Sequence, residues 1–172
     1  MLKNKKISTA VAVALFGTLA LAPGASAATP TYLTTTQKAQ LKFLVEEEKM
    51  ARDIYNFLAT KVTTRKFSNI ARSEQTHMNY IASLLTKYKQ VNPTTGKAAG
   101  VFVNKDIQAL YNTLTAEGAA GLLQAYGVGF KVEEVDIASL KELLAKAMPA
   151  DVKAALDLLL AASYNHLEAF SY

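Results

Sequence analysis

The 172-residue chain contains no cysteine and only two histidines. Without cysteine it can form no disulfide, no thiolate metal site and no cysteine nucleophile, and no lipid can be attached at a signal-peptide cysteine. Signals for β-strands are also lacking, because no hairpin turn separates alternating apolar and polar segments and no β-branched run exceeds a few residues. The sequence therefore predicts an all-α fold that is stabilised by its core or by bound metal.

The start of the chain has the pattern of a secretory signal peptide. Three lysines precede an apolar run over residues 7–21, and Ala25-Ser26-Ala27 is a small-residue cleavage site. The run is shorter than the roughly 20 apolar residues that a membrane-spanning helix needs. We therefore expect cleavage near Ala27 and an exported protein (periplasmic, cell-surface or secreted) that has no membrane partner afterwards.

The charge of the remaining chain excludes one class of partner. Removal of residues 1–27 would take away three of the 19 basic residues and none of the 14 acidic ones, which leaves a net charge near +2. A balance this small predicts no nucleic-acid partner. We expect residues 28–35 to be a linker and residues 36–172 to form one domain, since about 145 residues are enough for a sizeable core.

Apolar residues recur at three- and four-residue steps from Thr36 onwards, which predicts helices with one buried face. Long helices are expected over about 36–62, 66–89, 119–147 and from 150 almost to the C-terminus. A short helix is expected over about 104–117, after a loop rich in Asn, Pro and Gly. This order is the layout of a four-helix bundle with one long crossover that carries a short extra helix.

Each long helix has ionisable residues about midway along its apolar face. In chain order they are Glu48, then Glu74 and His77, then Glu133 and Asp136, then His166 next to Ser163. Buried carboxylates without partners are costly and repel one another, and a bound cation removes both problems. The neighbouring Glu46 and Glu47 lie off the apolar face, and we expect them to be solvated.

Glu74 and His77 form a Glu-x-x-His pair of the kind found in di-metal sites of helical bundles. One helix turn separates them, so both side chains can reach the same ion. Alone the pair is weak. It gains weight from the ionisable residues midway along the other three long helices, and from the position of both histidines of the chain on apolar faces. Carboxylates with a few imidazoles suit iron or manganese rather than a soft metal.

The same residues resemble a known family. Glu48 to Tyr55 (Glu-Lys-Met-Ala-Arg-Asp-Ile-Tyr) is similar to the first-helix signature of rubrerythrins, Glu-x-x-Ala-Arg-x-x-Tyr. Phe67 to His77 is similar to their second-helix signature, in which Ile-Ala leads into Glu-x-x-His. Residues 36–172 as a whole look like an exported bacterial group of uncharacterised proteins in the ferritin-like superfamily.

The resemblance implies a ferritin-like bundle with a centre of two iron ions, with manganese also possible. It implies Glu48 as a ligand to one metal, Glu74 as a bridging carboxylate and His77 as a terminal ligand. The third long helix would contribute Glu133, with Asp136 as a further ligand or as an acceptor for a histidine N–H, and with Glu134 as an alternative. His166 would be the last ligand, and Tyr55 a hydroxyl that contacts the ligands.

The chain departs from the rubrerythrin pattern at two points. Rubrerythrins have a second glutamate before the last histidine, where this chain has Ala162 and Ser163, and it lacks their cysteine-containing module. If the site is catalytic, the resemblance implies Fe(II) oxidation with oxygen or peroxide as the partner. A metal-binding protein without turnover, a structural bundle with a vestigial site, and a homodimer through helix faces stay open.

Overall fold

The computed structural model describes residues 32–171, and the predicted signal peptide over residues 1–27 lies outside this range. Within it are five α-helices and no strand, which confirms the all-α prediction. The helices are α1 (Thr35–Ala59), α2 (Lys66–Lys87), α3 (Lys105–Gly118), α4 (Leu122–Leu144) and α5 (Ala150–Phe170). In this part of the chain no helix has the length and apolar character needed to cross a membrane.

Local chemistry explains where the helices begin. Thr34 caps α1 in a reciprocal pair with Gln37, in which each side chain accepts a hydrogen bond from the backbone N–H of the other residue. The side chain of Asn104 caps α3 by accepting from two backbone N–H groups. The helix α4 begins three residues later than predicted, because Gly121 has a φ of 150°, which interrupts the helix before Leu122.

The four long helices form a closed ring, in which α1 and α5 each contact both α2 and α4. Short loops make α1 and α2, and α4 and α5, antiparallel pairs. Tyr55 lies against Glu133, and Glu47, further towards the start of α1, lies against Ser139, so α1 and α4 also run antiparallel. The crossover (residues 88–104) and α3 cover the outside of the ring, where α3 contacts α1 and α4.

The helix α1 is enclosed on all sides, because residues 44–51 are buried without interruption. Lys49 is 1% exposed, and its Nζ lies 2.5 Å from Asp53 Oδ2 and 2.8 Å from the carbonyl oxygen of Ala98. Asp53 also accepts hydrogen bonds from the Arg52 guanidinium and, at 2.9 Å, from the backbone N–H of Gly100. These five residues form a crossover clamp that holds the crossover along α1.

Candidate metal centre

A layer of buried polar side chains divides the bundle core into two apolar clusters. One cluster contains Tyr55, Phe67, Val132 and Phe170, and the other contains Leu44, Ile81, Leu140 and Leu159. The polar layer lies between them along every long helix, and its members are Glu47, Glu48, Glu74, His77, Glu133, Asp136, Ser163 and His166. Counted over the whole residue, each member is at most 9% exposed, so the layer lies within the bundle core.

Two groups of three side chains lie in this layer, each with ligand atoms within 4.8 Å of one another. The first is Glu48, Glu74 and His77, and the second is Glu74, Glu133 and His166. One oxygen of Glu74 lies 2.7 Å from His77 Nδ1, and the other lies 2.8 Å from His166 Nδ1. Glu74 therefore belongs to both groups and contacts both imidazoles. The two imidazole rings stack, with their centroids 5.6 Å apart.

The ligand atoms of these groups have few hydrogen bonds. Both oxygens of Glu48, one oxygen each of Glu74 and Glu133, and Nδ1 of both histidines are buried and make no well-oriented hydrogen bond in residues 32–171, although Glu74 lies close to both imidazoles. Unpaired buried polar atoms of this kind are rare, because each one costs the free energy of desolvation. Here five neighbouring side chains have such atoms in one place. This arrangement fits a cation between them, because lone pairs of oxygen and imidazole can all bind it.

Of the two other residues predicted at the site, Tyr55 contacts a member of the ligand groups. The hydroxyl of Tyr55 donates a hydrogen bond to Glu133, and the ring of Tyr55 stacks on Phe170 with centroids 5.6 Å apart. The other predicted residue, Asp136, belongs to neither group of three. Its Oδ2 lies 2.5 Å from Ser163 Oγ, while its Oδ1 is buried without a partner in the described chain.

A family model described as "Uncharacterized protein domain (DUF2202)" matches residues 37–172. The chain belongs to the DUF2202 family. The uncharacterized protein MJ0754 of Methanocaldococcus jannaschii is 38% identical over 138 residues, which cover 80% of this chain and 75% of that protein. The crystal structure of the hypothetical protein MJ0754 from Methanococcus jannaschii is similar with a TM-score of 0.79, at 36% identity over 84% of this chain and 83% of that one.

Charges in the polar layer of the DUF2202 domain shift one another's titration. Burial is the main reason that the pKa of Glu48 rises to about 8 and the pKa of Glu133 to about 7, and repulsion from Glu74 adds to both. Burial also opposes ionisation of Glu74, but His166 and His77 outweigh it and lower its pKa to about 2. Burial disfavours charged imidazoles too, yet the surrounding carboxylates raise the pKa of His77 to about 10 and that of His166 to about 9.

In the metal-free DUF2202 domain, the free energy of unfolding should fall as the pH rises from about 5 to about 9. Over this interval the folded state binds more protons than the unfolded state, because the pKa values of Glu48, Glu133 and both histidines are raised. The lowered pKa of Glu74 makes stability rise with pH, but only at pH values below about 4.5, the ordinary pKa of a glutamate. Urea unfolding at several pH values with a chelator present measures the slope, and a stability that increases towards pH 9 would contradict it.

The sequence-based prediction for Glu46 and Glu47 is wrong, because both carboxylates are buried. Glu46 accepts hydrogen bonds from the backbone N–H groups of Val103, at 2.5 Å, and Asn104 at the end of the crossover. Glu47 accepts a hydrogen bond from Ser139 at 3.0 Å, and burial with the nearby Asp136 raises its pKa well above the ordinary value. The run of three glutamates was the only available signal, and helical periodicity assigns just one of them to a buried face.

Proposed function

We propose that this DUF2202 domain is a ferritin-like protein that binds two metal ions between its four long helices. The observation that carries the proposal is the position of Glu74, whose two carboxylate oxygens lie 2.7 Å from His77 and 2.8 Å from His166. Glu48 and His77 would hold one ion, Glu133 and His166 would hold the other, and Glu74 would bind both.

The ligand chemistry supports iron, with manganese as the alternative. Three carboxylates and two imidazoles form the two groups, and the chain has no cysteine that could supply a soft thiolate. Ligand sets that consist mainly of carboxylate oxygens with a few imidazoles suit these metals. Of the alternatives on the third long helix, Glu133 belongs to a group and Glu134 is exposed, so a further ligand from α4 would be Asp136.

Iron bound in this site would supply one-electron chemistry, in which Fe(II) is oxidised while oxygen or peroxide is reduced. The chain's own contribution is to hold the ligands in a layer enclosed between two apolar clusters. The hydroxyl of Tyr55, through its hydrogen bond to Glu133, would fix the orientation of that carboxylate. This defines a candidate ferroxidase or peroxide-reducing activity.

One observation favours a second candidate, a protein that binds or sequesters metal without turnover. The helix α5 contributes no carboxylate beside His166, because residues 162 and 163 are alanine and serine. A smaller ligand set could hold metal without cycling it between oxidation states. Oxygen consumption on addition of Fe(II) separates the candidates, since only the oxidase consumes oxygen in proportion to the iron added.

Metal content tests the proposal. After anaerobic loading with Fe(II) and desalting, elemental analysis should find two ions per wild-type chain. His77→Ala and His166→Ala should each retain about one ion, since each removes one group's imidazole ligand. Glu134→Gln is the control, because Glu134 lies on the same helix as Glu133 but is exposed, and it should retain two ions.

A wild-type protein without transition metal after loading would overturn the proposal. The hypothesis of a structural bundle with a vestigial site predicts a different result. In that case His77→Ala and Glu74→Ala should change neither the metal content nor the temperature of unfolding.

A further inference from the structure

The five proposed ligands are not equally enclosed. The side chains of Glu48, Glu74, His77 and Glu133 are 1–2% exposed, whereas that of His166 is 11% exposed. His166 is therefore the most exposed of the five side chains, and its Nδ1 lies nearer to Glu74 on α2 (2.8 Å) than to Glu133 on α4 (3.5 Å). The two ligand groups thus differ in exposure although each contains one imidazole.

The α2/α5 seam is the line along which these two helices meet at the surface. Lys66 donates a hydrogen bond to the carbonyl of Ala169 at one end of the seam, and Lys87 donates one to Asp151 at the other. Near the second end the seam opens into a groove of about 400 Å³, whose lining includes Tyr80, Leu84, Ala155 and Leu158. The helices therefore leave space between them along part of their length.

Helical periodicity identifies the residues in the middle of the seam. On α2, position 73 lies seven residues from both Lys66 and Tyr80, and seven residues are close to two full turns. On α5, position 162 lies seven residues from both Ala155 and Ala169. The residues at these positions are Ser73 and Ala162, both half-buried, and Ala162 precedes His166 by one helix turn.

We propose, on the basis of the two-metal centre proposed above, that small molecules reach the centre through the α2/α5 seam between Ser73 and Ala162. They bind at the ion that His166 holds. Two of the smallest side chains cover this part of the seam, while Lys66 and Tyr80 flank Ser73 on α2. The helix α5 has alanine and serine at positions 162 and 163, so it places no carboxylate between this part of the seam and His166. The ligand class is small anions and diatomic molecules, of the size of azide, peroxide and oxygen.

The test compares two leucine substitutions one residue apart on α5. Ala162→Leu fills the middle of the seam, whereas Ala161→Leu makes the same change at an exposed position. The probe is azide, titrated into the Fe(III)-loaded proteins and followed by its ligand-to-metal absorption band. We expect the apparent dissociation constant of azide to rise at least about tenfold in Ala162→Leu, a factor that corresponds to about 1.4 kcal/mol. Ala161→Leu should bind azide like the wild type.

Metal content is measured on the same samples, which separates the two proposals. Wild-type protein without bound iron would overturn the two-metal centre. If Ala162→Leu binds two ions and its affinity for azide is unchanged, the two-metal centre is supported and the access route through the seam is overturned.

A second measurement needs no metal and covers the case in which Ala162→Leu fails to load. Diethyl pyrocarbonate, which acylates neutral imidazole, is allowed to react with the full chain at several pH values, so that each rate is corrected for the protonated fraction of that histidine. Mass spectrometry measures the modification of the two histidines separately. His166 should be modified faster than His77 in the wild type and in Ala161→Leu, and Ala162→Leu should slow only His166. Equal modification of both histidines in the wild type would contradict access at His166.

Discussion

Glu74→Gln should remove both metal ions at once. The substitution keeps the shape of the side chain but replaces a carboxylate by a neutral amide, and Glu74 is the one side chain that belongs to both ligand groups. Loss of a partner that only orients a metal ligand typically costs about 10- to 100-fold in affinity, and loss of a charged ligand costs more. We therefore expect the affinity for each ion to fall by more than about 100-fold, and desalted protein to contain no metal by elemental analysis.

Two matched substitutions separate the shared ligand from the others. Glu48→Gln and Glu133→Gln make the same chemical change in one group each, and each should leave about one ion per chain. Circular dichroism should show helical content like that of the wild type for all three variants. Two ions retained in Glu74→Gln, or equal losses in all three variants, would exclude Glu74 as a bridge.

Asp53→Ala should destabilise the protein by about 3–5 kcal/mol, because it breaks a buried ion pair and leaves one charge behind. Lys49 is 1% exposed, and without Asp53 its ammonium group would keep only the carbonyl of Ala98 as a hydrogen-bond acceptor. The backbone N–H of Gly100 would lose its acceptor as well. Urea unfolding followed by far-ultraviolet circular dichroism measures the change.

The control for this prediction is Asp157→Ala. Lys153 and Asp157 have the same four-residue spacing as Lys49 and Asp53, with a distance of 2.7 Å, but their side chains are more than half exposed. Exposed helix pairs of this kind contribute only about 0.3–0.5 kcal/mol. Similar losses in the two variants would show that the crossover clamp contributes no more than an exposed salt bridge.

The arrangement of the long helices could be predicted from sequence because their apolar residues recur with a helical period. The level of the polar layer could be predicted for a related reason. Each apolar face is interrupted about midway, so Glu48, Glu74, Glu133 and His166 had to lie at similar depth once the four helices packed. The structure brings these four side chains and His77 into the two groups described above.

The surroundings of α1 could not be predicted in the same way. Periodicity assumes that a helix has one buried face, but crossover residues with no periodic pattern cover the opposite face of α1. Lys49 and Asp53 therefore have the sequence pattern of an exposed i,i+4 pair although both are buried. The predicted start of α4 is three residues too early because nothing in the sequence fixes the φ angle of Gly121.

The three consecutive glutamates of α1 have a consequence for the rotation of that helix about its axis. Glu46 bonds to the crossover, Glu47 to α4 through Ser139, and Glu48 faces His77 on α2. Neighbouring residues point about 100° apart, so a rotation by one residue would turn every carboxylate away from its partner. The three glutamates together therefore fix the rotation of α1 about its own axis. This rotation directs Glu48 towards the polar layer.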